Sequence, residues 1–160
     1  MNRTLSLAVL LLALAGHARA AADEAVERLA IVQAVQNLFD AMATGDGELA
    51  AATLIPEGRL IVVTDGDDGV AHRAWDHADF VAMVAKGDSV LVERMWDPVV
   101  SIDGPIATFR ARYDFYRDGD YSHCGVDLFT LVKVEAGWQI SGGTFTREVR
   151  QCEDNPLPPL

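Results

Sequence analysis

Positive charge is scarce in this chain, whose 160 residues carry 13 lysines and arginines against 24 aspartates and glutamates, a net charge of −11. That acidity argues against nucleic acid and against an anionic membrane surface as partners, because both repel a negatively charged protein. Low-complexity tracts and internal repeats are also missing, while half of the residues are hydrophobic. The composition therefore excludes a disordered tail and predicts a chain that buries a core.

Sequence signatures of several enzyme classes are absent as well. The chain has no glycine-rich nucleotide loop, no paired metal-ligand motif and no nucleophile elbow, so we expect neither a metal nor a cofactor. The acidic stretch from Asp65 to Gly69 lacks the spacing and the final glutamate of a calcium loop and is better explained as a hairpin turn. Cys124 adjoins His123, but neighbouring strand residues point to opposite faces and cannot form a nucleophile–base pair.

No apolar run reaches the roughly 20 residues that span a bilayer. The longest, Leu5 to Ala15 with Ser6 as its one polar residue, is typical of the centre of a secretory signal, since Arg3 precedes it and an Ala-Arg-Ala cleavage site follows at 18–20. We expect residues 1–20 to be a cleaved signal peptide and the mature protein to be periplasmic or secreted, without membrane association after cleavage. Cleavage would leave 11 basic residues against 24 acidic ones, a net charge of −13.

Cysteine is nearly absent, and the two that are present are Cys124 and Cys152. An even count in an oxidising compartment favours a disulfide. A hairpin that turns at Ala136, however, places Cys124 opposite Glu148, so the two sulfurs meet only if the chain bulges or folds back after Val149. The oxidising compartment therefore favours a disulfide and the strand register does not, so a Cys124–Cys152 bond and two free cysteines both stay open.

Hydrophobic periodicity and turn residues predict three helices and six strands. The predicted helices are 23–43, 48–54 and 76–86, and the predicted strands are 59–64, 70–74, 89–102, 105–117, 121–134 and 138–149. Short glycine-containing turns join the last four strands, which is typical of an antiparallel meander. A curved sheet wrapped around the helices would bury their apolar faces and leave a conical cavity at its open end.

The strand predicted over 121–134 carries the most informative side chains. His123, Asp127 and Phe129 are separated by four and two residues, so they face one side of the sheet. Four residues of strand separate the Cα atoms of His123 and Asp127 by roughly 13 Å. This distance excludes a direct hydrogen bond in a regular strand, but it lets both side chains line one pocket.

The last predicted strand has Gly142 and Gly143 in its middle. Strict alternation would place Phe145 and Arg147 on one face and Trp138 on the other. The two glycines favour a bend or a bulge at this point rather than a phosphate-binding loop.

The segment HCGVDLFTLVKVEAGWQI fits the pattern H-x-G-x-D-x-F followed by G-W-[KRQ]-I. In this segment and in its order of elements, the chain from Asp23 to about Arg150 resembles the nuclear transport factor 2-like superfamily. That superfamily includes ketosteroid isomerase, the SnoaL-like polyketide cyclases and proteins labelled putative lumazine-binding. The resemblance implies an α+β fold in which a cone-shaped curved antiparallel sheet wraps around one long and two shorter N-terminal helices. It implies one domain over 21–150, followed by a Pro-rich tail over 151–160 that we expect to be loosely held.

A conical cavity in such a domain predicts a small-molecule ligand. We expect a pocket that binds an apolar or aromatic metabolite without turning it over. Its candidate lining residues are Trp96, Tyr113, His123, Asp127, Phe129 and Phe145. Arg112 and Arg147 would suit an anionic ligand only if they turn inward. Strand alternation puts Tyr113 on the apolar face and Arg112 on the other.

An acid/base enzyme, such as an isomerase, dehydratase or polyketide cyclase-like protein, is one alternative. Proton abstraction beside a carbonyl needs a base and a hydrogen-bond donor in a dry site. His123 or Asp127 would be the base, and Tyr113 or Tyr121 would be the donor. The resemblance to ketosteroid isomerase also implies a second, protonated carboxyl group, for which the sequence offers no clear match.

An association module is the other alternative. The polar face of the strand predicted over 105–117 carries Arg110, Arg112 and Tyr116. A homodimer formed through this sheet face would not depend on the pocket residues.

Overall fold

The computed structural model describes residues 3–66, 69–148, 152 and 155–160. Its elements are α1 (Arg3–Thr44), α2 (Gly47–Thr53), β1 (Arg59–Gly66), β2 (Gly69–Asp76), α3 (His77–Lys86), β3 (Leu91–Asp103), β4 (Ile106–Arg117), β5 (Asp120–Val134) and β6 (Gly137–Thr146). The order of helices and strands follows the hydrophobic pattern, and the α+β class is confirmed.

Helix α1 is longer than predicted, at 42 residues. The predicted start at Asp23 is wrong, because the helix begins at Arg3 and continues without a break through the segment expected to be a signal peptide. Leucine and alanine dominate that segment, and both favour helix. Within the described part of the chain, no helix meets the length and hydropathy required to span a bilayer. Cleavage of residues 1–20 stays a prediction.

The second half of α1 supplies the inner layer of the core. Ile31, Val35, Leu38, Phe39 and Met42 are buried along it at the three-to-four residue spacing of one helix face. They belong to a single apolar cluster with residues of the sheet, among them Phe109, Phe129, Leu131 and Ile140. The helix thus fills much of the concave side of the sheet and leaves the remainder open for a cavity.

The six strands form one sheet in the order β2-β1-β6-β5-β4-β3. Neighbouring strands are antiparallel, except that β1 and β6 are parallel. The cone-shaped fold is confirmed with this difference, that the sheet is mixed rather than wholly antiparallel. Hairpins enforce antiparallel pairing elsewhere, whereas β1 and β6 are distant in the chain and no hairpin fixes their relative direction.

Bulges bend the sheet at three places. The register shifts between Trp96 and Val99 on β3, between Phe115 and Tyr116 on β4, and opposite Thr130 and Leu131 on β5. An extra residue in one strand increases the local twist and curls the sheet. These bulges give the sheet the curvature that a cone requires.

The bulge in β6 also corrects the predicted alternation. Phe129 pairs with Gly143 while Leu131 pairs with Ile140, so Ile140 and Gly143 lie on the same face although they are three residues apart. The prediction that Trp138 and Phe145 occupy opposite faces is therefore wrong, because the strand changes parity at Ser141. The bend expected at the mid-strand glycines is confirmed.

Cys124 and Cys152 form a disulfide, with their Cα atoms 6.1 Å apart. The predicted register is confirmed too, since Cys124 and Glu148 exchange two backbone hydrogen bonds of 3.0 and 2.8 Å. The disulfide and the predicted register are therefore compatible, because Cys152 lies after the last residue of the β5–β6 pairing and contacts Cys124 from there.

The C-terminal tail lies against the convex face of the sheet. C-terminal to the disulfide, Asn155 Nδ2 donates to Asp114 Oδ2 at 2.7 Å, and an Arg94 N–H donates to the carbonyl oxygen of Pro158 at 2.7 Å. Arg94 also forms an ion pair with Asp114, which is fully buried. Side chains on β3 and β4 therefore contact the tail, and its loose attachment stays a prediction.

Candidate functional site

A cavity of about 440 Å³ lies between the concave face of the sheet and helices α1 and α3. This volume is within the range of small-molecule sites. Its wall is mostly apolar, with aliphatic, methionine and phenylalanine side chains at Leu38, Phe39, Met42, Leu60, Val62, Phe80, Met83 and Leu91. Such a cavity suits a ligand that is largely apolar and needs few, specifically placed polar contacts.

Aromatic rings form the remaining wall. Phe115 and His123 are stacked with their centroids 4.7 Å apart, and Trp75 and Phe145 are stacked 6.4 Å apart with planes only 3° from parallel. Tyr113 meets His123 and Phe145 edge-on at 5.7 and 6.3 Å. Flat aromatic faces favour contact with other flat π systems, so this part of the cavity is shaped for a planar ligand.

Gly125 allows Thr146 of the neighbouring segment to approach β5 closely beside Tyr113. The Tyr113 hydroxyl donates to the backbone carbonyl of Thr146 at 2.7 Å, and Gly125 is the residue on β5 that pairs with Tyr113. A Cβ at Gly125 would lie 2.1 Å from that same carbonyl oxygen, so no larger residue fits. Burial raises the pKa of Tyr113 well above its usual range, and the hydroxyl therefore keeps its proton.

His123 is uncharged at neutral pH. Burial and the nearby positive charges of Arg147 and Arg117 lower its pKa to about 4. Its Nδ1 lies 3.0 Å from the Ser122 hydroxyl oxygen. A neutral, stacked imidazole is a hydrogen-bonding part of the wall, and with this pKa it is a weak base at neutral pH.

Two carboxyl groups meet at the buried end of the cavity. Burial raises the pKa of Asp127 to about 7, while burial and the adjacent Asp127 charge raise the pKa of Glu93 well above its ordinary value. The two groups share a hydrogen bond, which requires a proton on one of them. This bond raises the pKa of Glu93 and lowers that of Asp127, which places the shared proton on Glu93. Asp127 Oδ2 is buried without a hydrogen-bond partner among the described residues. Asp127 is thus an acceptor that faces an apolar cavity.

Glu93 is the residue that the sequence analysis missed. The sequence offered no clear match for a second, protonated carboxyl group, and in the structure Glu93 is a carboxyl group beside Asp127. The sequence of β3 indicates this position, because Glu93 lies between Leu91 and Met95 on one face of the strand. A carboxylate between two apolar residues of one strand face points toward the core, and that placement marks it as unusual.

Two arginines lie at the open side of the cavity. Arg147 is half-buried and Arg117 is exposed, and both belong to the cavity wall. Arg147 turns inward, as an anionic ligand would need, while Arg112 is not part of this wall, as its strand parity predicts. Along β5 the cavity therefore runs from a cationic rim near His123 to a carboxyl pair at Asp127.

Comparison with protein families identifies the chain. Residues 26–146 match the model of the family described as putative lumazine-binding. The chain belongs to the putative lumazine-binding family. Among curated proteins none matches.

Solved structures similar to this family member share the nuclear transport factor 2-like fold. A Salmonella enterica serovar Typhimurium protein of that superfamily is 13% identical, with a TM-score of 0.60, 84% of this chain and 99% of that chain covered. The β subunit of a putative aromatic-ring-hydroxylating dioxygenase from Novosphingobium aromaticivorans is 13% identical, with a TM-score of 0.65 and coverages of 86% and 99%. A Mycobacterium tuberculosis protein of unknown function is 16% identical, with a TM-score of 0.64 and coverages of 86% and 80%. At these identities the likeness shows the fold alone.

Most of the pocket residues predicted for this member of the putative lumazine-binding family lie around the one cavity. They are Tyr113, His123, Asp127, Phe129 and Phe145. Trp96 does not line it: like Arg94, two residues earlier on β3, it faces the convex side, where it is buried. Tyr121 is also absent from the cavity wall and packs edge-on against Tyr116 at 5.7 Å.

The sheet face suggested for a dimer is partly occupied within the chain itself. Tyr116 is buried beneath the Arg94 guanidinium, which lies 5.0 Å from its ring centre. Arg110 remains exposed. A homodimer through this face of the family member stays a prediction.

Proposed function

We propose that this chain is an exported protein whose conical cavity binds a small planar aromatic molecule. The observation that carries the proposal is the pair of stacked aromatic surfaces, Trp75 with Phe145 and Phe115 with His123, in the wall of one 440 Å³ cavity. The description of the family names lumazine, a fused two-ring heterocycle, and a ligand of that size and flatness suits these surfaces. Export accords with the signal-like N-terminus and with the disulfide, which persists in oxidising compartments.

Filling the cavity tests this proposal. Val62 lines the cavity, whereas Val99 on β3 is 60% exposed, so the same substitution at both sites gives a matched pair. We expect 2-naphthol to bind the wild-type protein at one site in isothermal titration calorimetry. Val62→Trp should weaken that affinity at least tenfold, because the indole occupies the ligand volume, and Val99→Trp should leave it within about twofold.

The saturated analogue decahydro-2-naphthol provides the control for flatness. It has the same skeleton and hydroxyl group but no π system, so it should bind several-fold more weakly than 2-naphthol, in line with about 0.5–1.5 kcal/mol for an aromatic pair. Equal affinity of Val62→Trp and wild type for 2-naphthol would place the ligand elsewhere and end the proposal.

A second candidate function, acid/base catalysis, is favoured by the Glu93 and Asp127 pair. A general base works best when its pKa is near the operating pH, and the pKa of Asp127 is about 7 while that of His123 is about 4. Asp127 is therefore the better base of the two, and a protonated Glu93 supplies the second carboxyl group. The Tyr113 hydroxyl is already engaged by Thr146.

Hydrogen–deuterium exchange of 2-tetralone tests this second function. If the protein is an acid/base enzyme, NMR should show α-proton exchange faster than in buffer alone. The rate should rise between pH 6 and 8 as Asp127 loses its proton. Asp127→Asn should lower it at least a hundredfold, and His123→Ala should lower it less. Exchange that equals the buffer rate at every pH, in the presence of proven binding, would leave the cavity as a binding site without this activity.

A further inference from the structure

Unpaired positive charge at the rim of the cavity is the most unexpected feature of this acidic chain. Acidic residues outnumber basic ones by 24 to 13, yet within the described part of the chain neither Arg117 nor Arg147 forms an ion pair. Arg28, Arg59 and Arg94 do form ion pairs, and Arg73 and Arg110, which also form none among the described residues, lie outside the cavity wall.

The two rim arginines are held near one end of the aromatic wall. Arg147 directly follows the last strand residue and its backbone N–H donates to the Val63 carbonyl at 2.8 Å. Arg117 ends β4, two residues beyond Phe115, which stacks on His123. Both guanidinium groups are close enough to His123 to disfavour a charge on its ring. A group placed against the His123 ring edge would therefore meet two positive charges.

The opposite end of the cavity needs a hydrogen-bond donor. Asp127 lies four residues along β5 from His123, roughly 13 Å in an extended strand, and its Oδ2 atom has no partner among the described residues. Buried acceptors in folded proteins are almost always satisfied. A ligand N–H or O–H group that reaches Asp127 would satisfy it.

We propose that the cavity selects planar aromatic acids that are bound at both ends. The anionic group pairs with Arg117 and Arg147 at the rim, and the ring system lies along the aromatic wall. An N–H or O–H group at the far end of the ring donates to Asp127. Guanidinium groups recognise carboxylates through two parallel hydrogen bonds, so two unpaired arginines favour an anion over a neutral group. This inference rests on the proposed binding function and names the ligand class for the same cavity.

Three naphthalene probes of one shape separate the two ends. 6-Hydroxy-2-naphthoate carries both recognition groups, 6-hydroxy-2-naphthamide lacks the charge, and 6-methoxy-2-naphthoate lacks the donor. By titration calorimetry we expect each single loss to weaken binding about tenfold, the size of effect that charged and buried hydrogen bonds have. The preference for the acid over the amide should shrink as salt rises from 0.05 to 0.5 M, because salt screens exposed charges.

Arginine variants assign the charge preference to the rim. The double variant Arg117→Gln/Arg147→Gln should bind the acid and the amide equally, because the charge that distinguishes the two probes no longer meets a cation. Arg110→Gln removes an exposed positive charge from β4 away from the cavity and should keep the full preference for the acid. Circular dichroism of each variant checks that the fold is intact.

The outcomes distinguish this inference from the function on which it rests. Saturable binding of all three probes with equal affinities would overturn the selection of aromatic acids and leave the cavity as a general aromatic site. A preference for the acid that survives in the double variant would overturn the assignment to Arg117 and Arg147. Absence of binding by every probe, and by 2-naphthol, would end the proposed function itself.

Discussion

Asp127→Asn is expected to stabilise the fold at pH 8 by about 3 kcal/mol and to destabilise it at pH 4, by up to about 1 kcal/mol. Moving the pKa of Asp127 from 3.8 to about 7 corresponds to about 4 kcal/mol at 1.36 kcal/mol for each pH unit. Asparagine keeps an oxygen that accepts from protonated Glu93 and carries no charge. Its amide N–H groups have no hydrogen-bond partner, which costs about 1 kcal/mol. The net increase in the free energy of unfolding at pH 8 is then about 3 kcal/mol.

The direction in which stability changes with pH follows from the number of protons bound in the folded and unfolded states. Between pH 4 and 7 folded Asp127 holds a proton that the unfolded chain has already lost. The free energy of unfolding of the wild type therefore falls as pH rises through this window. Glu93 adds to the effect because its pKa moves in the same direction. The Tyr113 hydroxyl on β4, whose pKa burial raises well above its usual range, keeps its proton across this window.

Urea unfolding at pH 4, 6 and 8 measures this prediction. Asp103→Asn is the matched control, because it removes an exposed carboxylate at the end of β3 and should change stability by less than about 0.5 kcal/mol. A variant Asp127→Asn that is destabilised at pH 8 would show that Asp127 is a favourable charge in the folded protein, and the assignment of a proton-sharing pair would be wrong. A stabilised variant that has lost ligand affinity would instead fit a binding site kept at the expense of stability.

Loss of the disulfide is expected to destabilise the fold by about 3.5 kcal/mol. The bond closes a loop of 28 residues, for which chain entropy gives a value between about 3 kcal/mol for 15 residues and 4.7 for 100. It also fastens the tail, whose Asn155 and Pro158 contact Asp114 and Arg94 on the convex face. For a domain of this size the change corresponds to roughly 10 °C in Tm.

Thermal unfolding with and without reductant measures this effect, and Cys124→Ala/Cys152→Ala is the variant that mimics reduction permanently. Reductant should leave the Tm of that variant unchanged. Intact mass spectrometry of protein collected from the periplasm tests both export and the disulfide. We expect the chain to begin at Ala21 and to gain about 2 Da on reduction. A Tm that reductant does not move in the wild type would contradict the role of the bond, and a chain that still begins at Met1 would contradict export.

Much of the cavity was predictable because a strand repeats every two residues. That period placed His123, Asp127 and Phe129 on one face and Arg112 on the other, and glycine-containing turns located the four-stranded meander. The two-residue period no longer predicts which face a side chain occupies beyond a bulge, where one strand has an extra residue. The bulge at Ser141 reversed the predicted faces of the second half of β6, and the mid-strand glycines indicated a bulge without giving the extra residue.

Other features depended on contacts between distant parts of the chain. The parallel pairing of β1 with β6 joins segments that no hairpin connects. The tail contacts Arg94 and Asp114, and nothing near residues 155–160 in the sequence indicates these partners. The Glu93 pair with Asp127 crosses from β3 to β5. Local patterns therefore predicted the fold and one strand of the site. The alternation of β3 could have placed Glu93 toward the core, but its pairing with Asp127 required the three-dimensional structure.

Intermolecular nuclear Overhauser effects between 2-naphthol and the protein show where the ligand binds. For binding in the cavity we expect contacts from the ring protons of the ligand to Trp75, Phe145 and the Val62 methyl groups, all of which line the cavity. Contacts confined to exposed apolar side chains outside it, such as Val99 or Leu128, would contradict binding in the cavity.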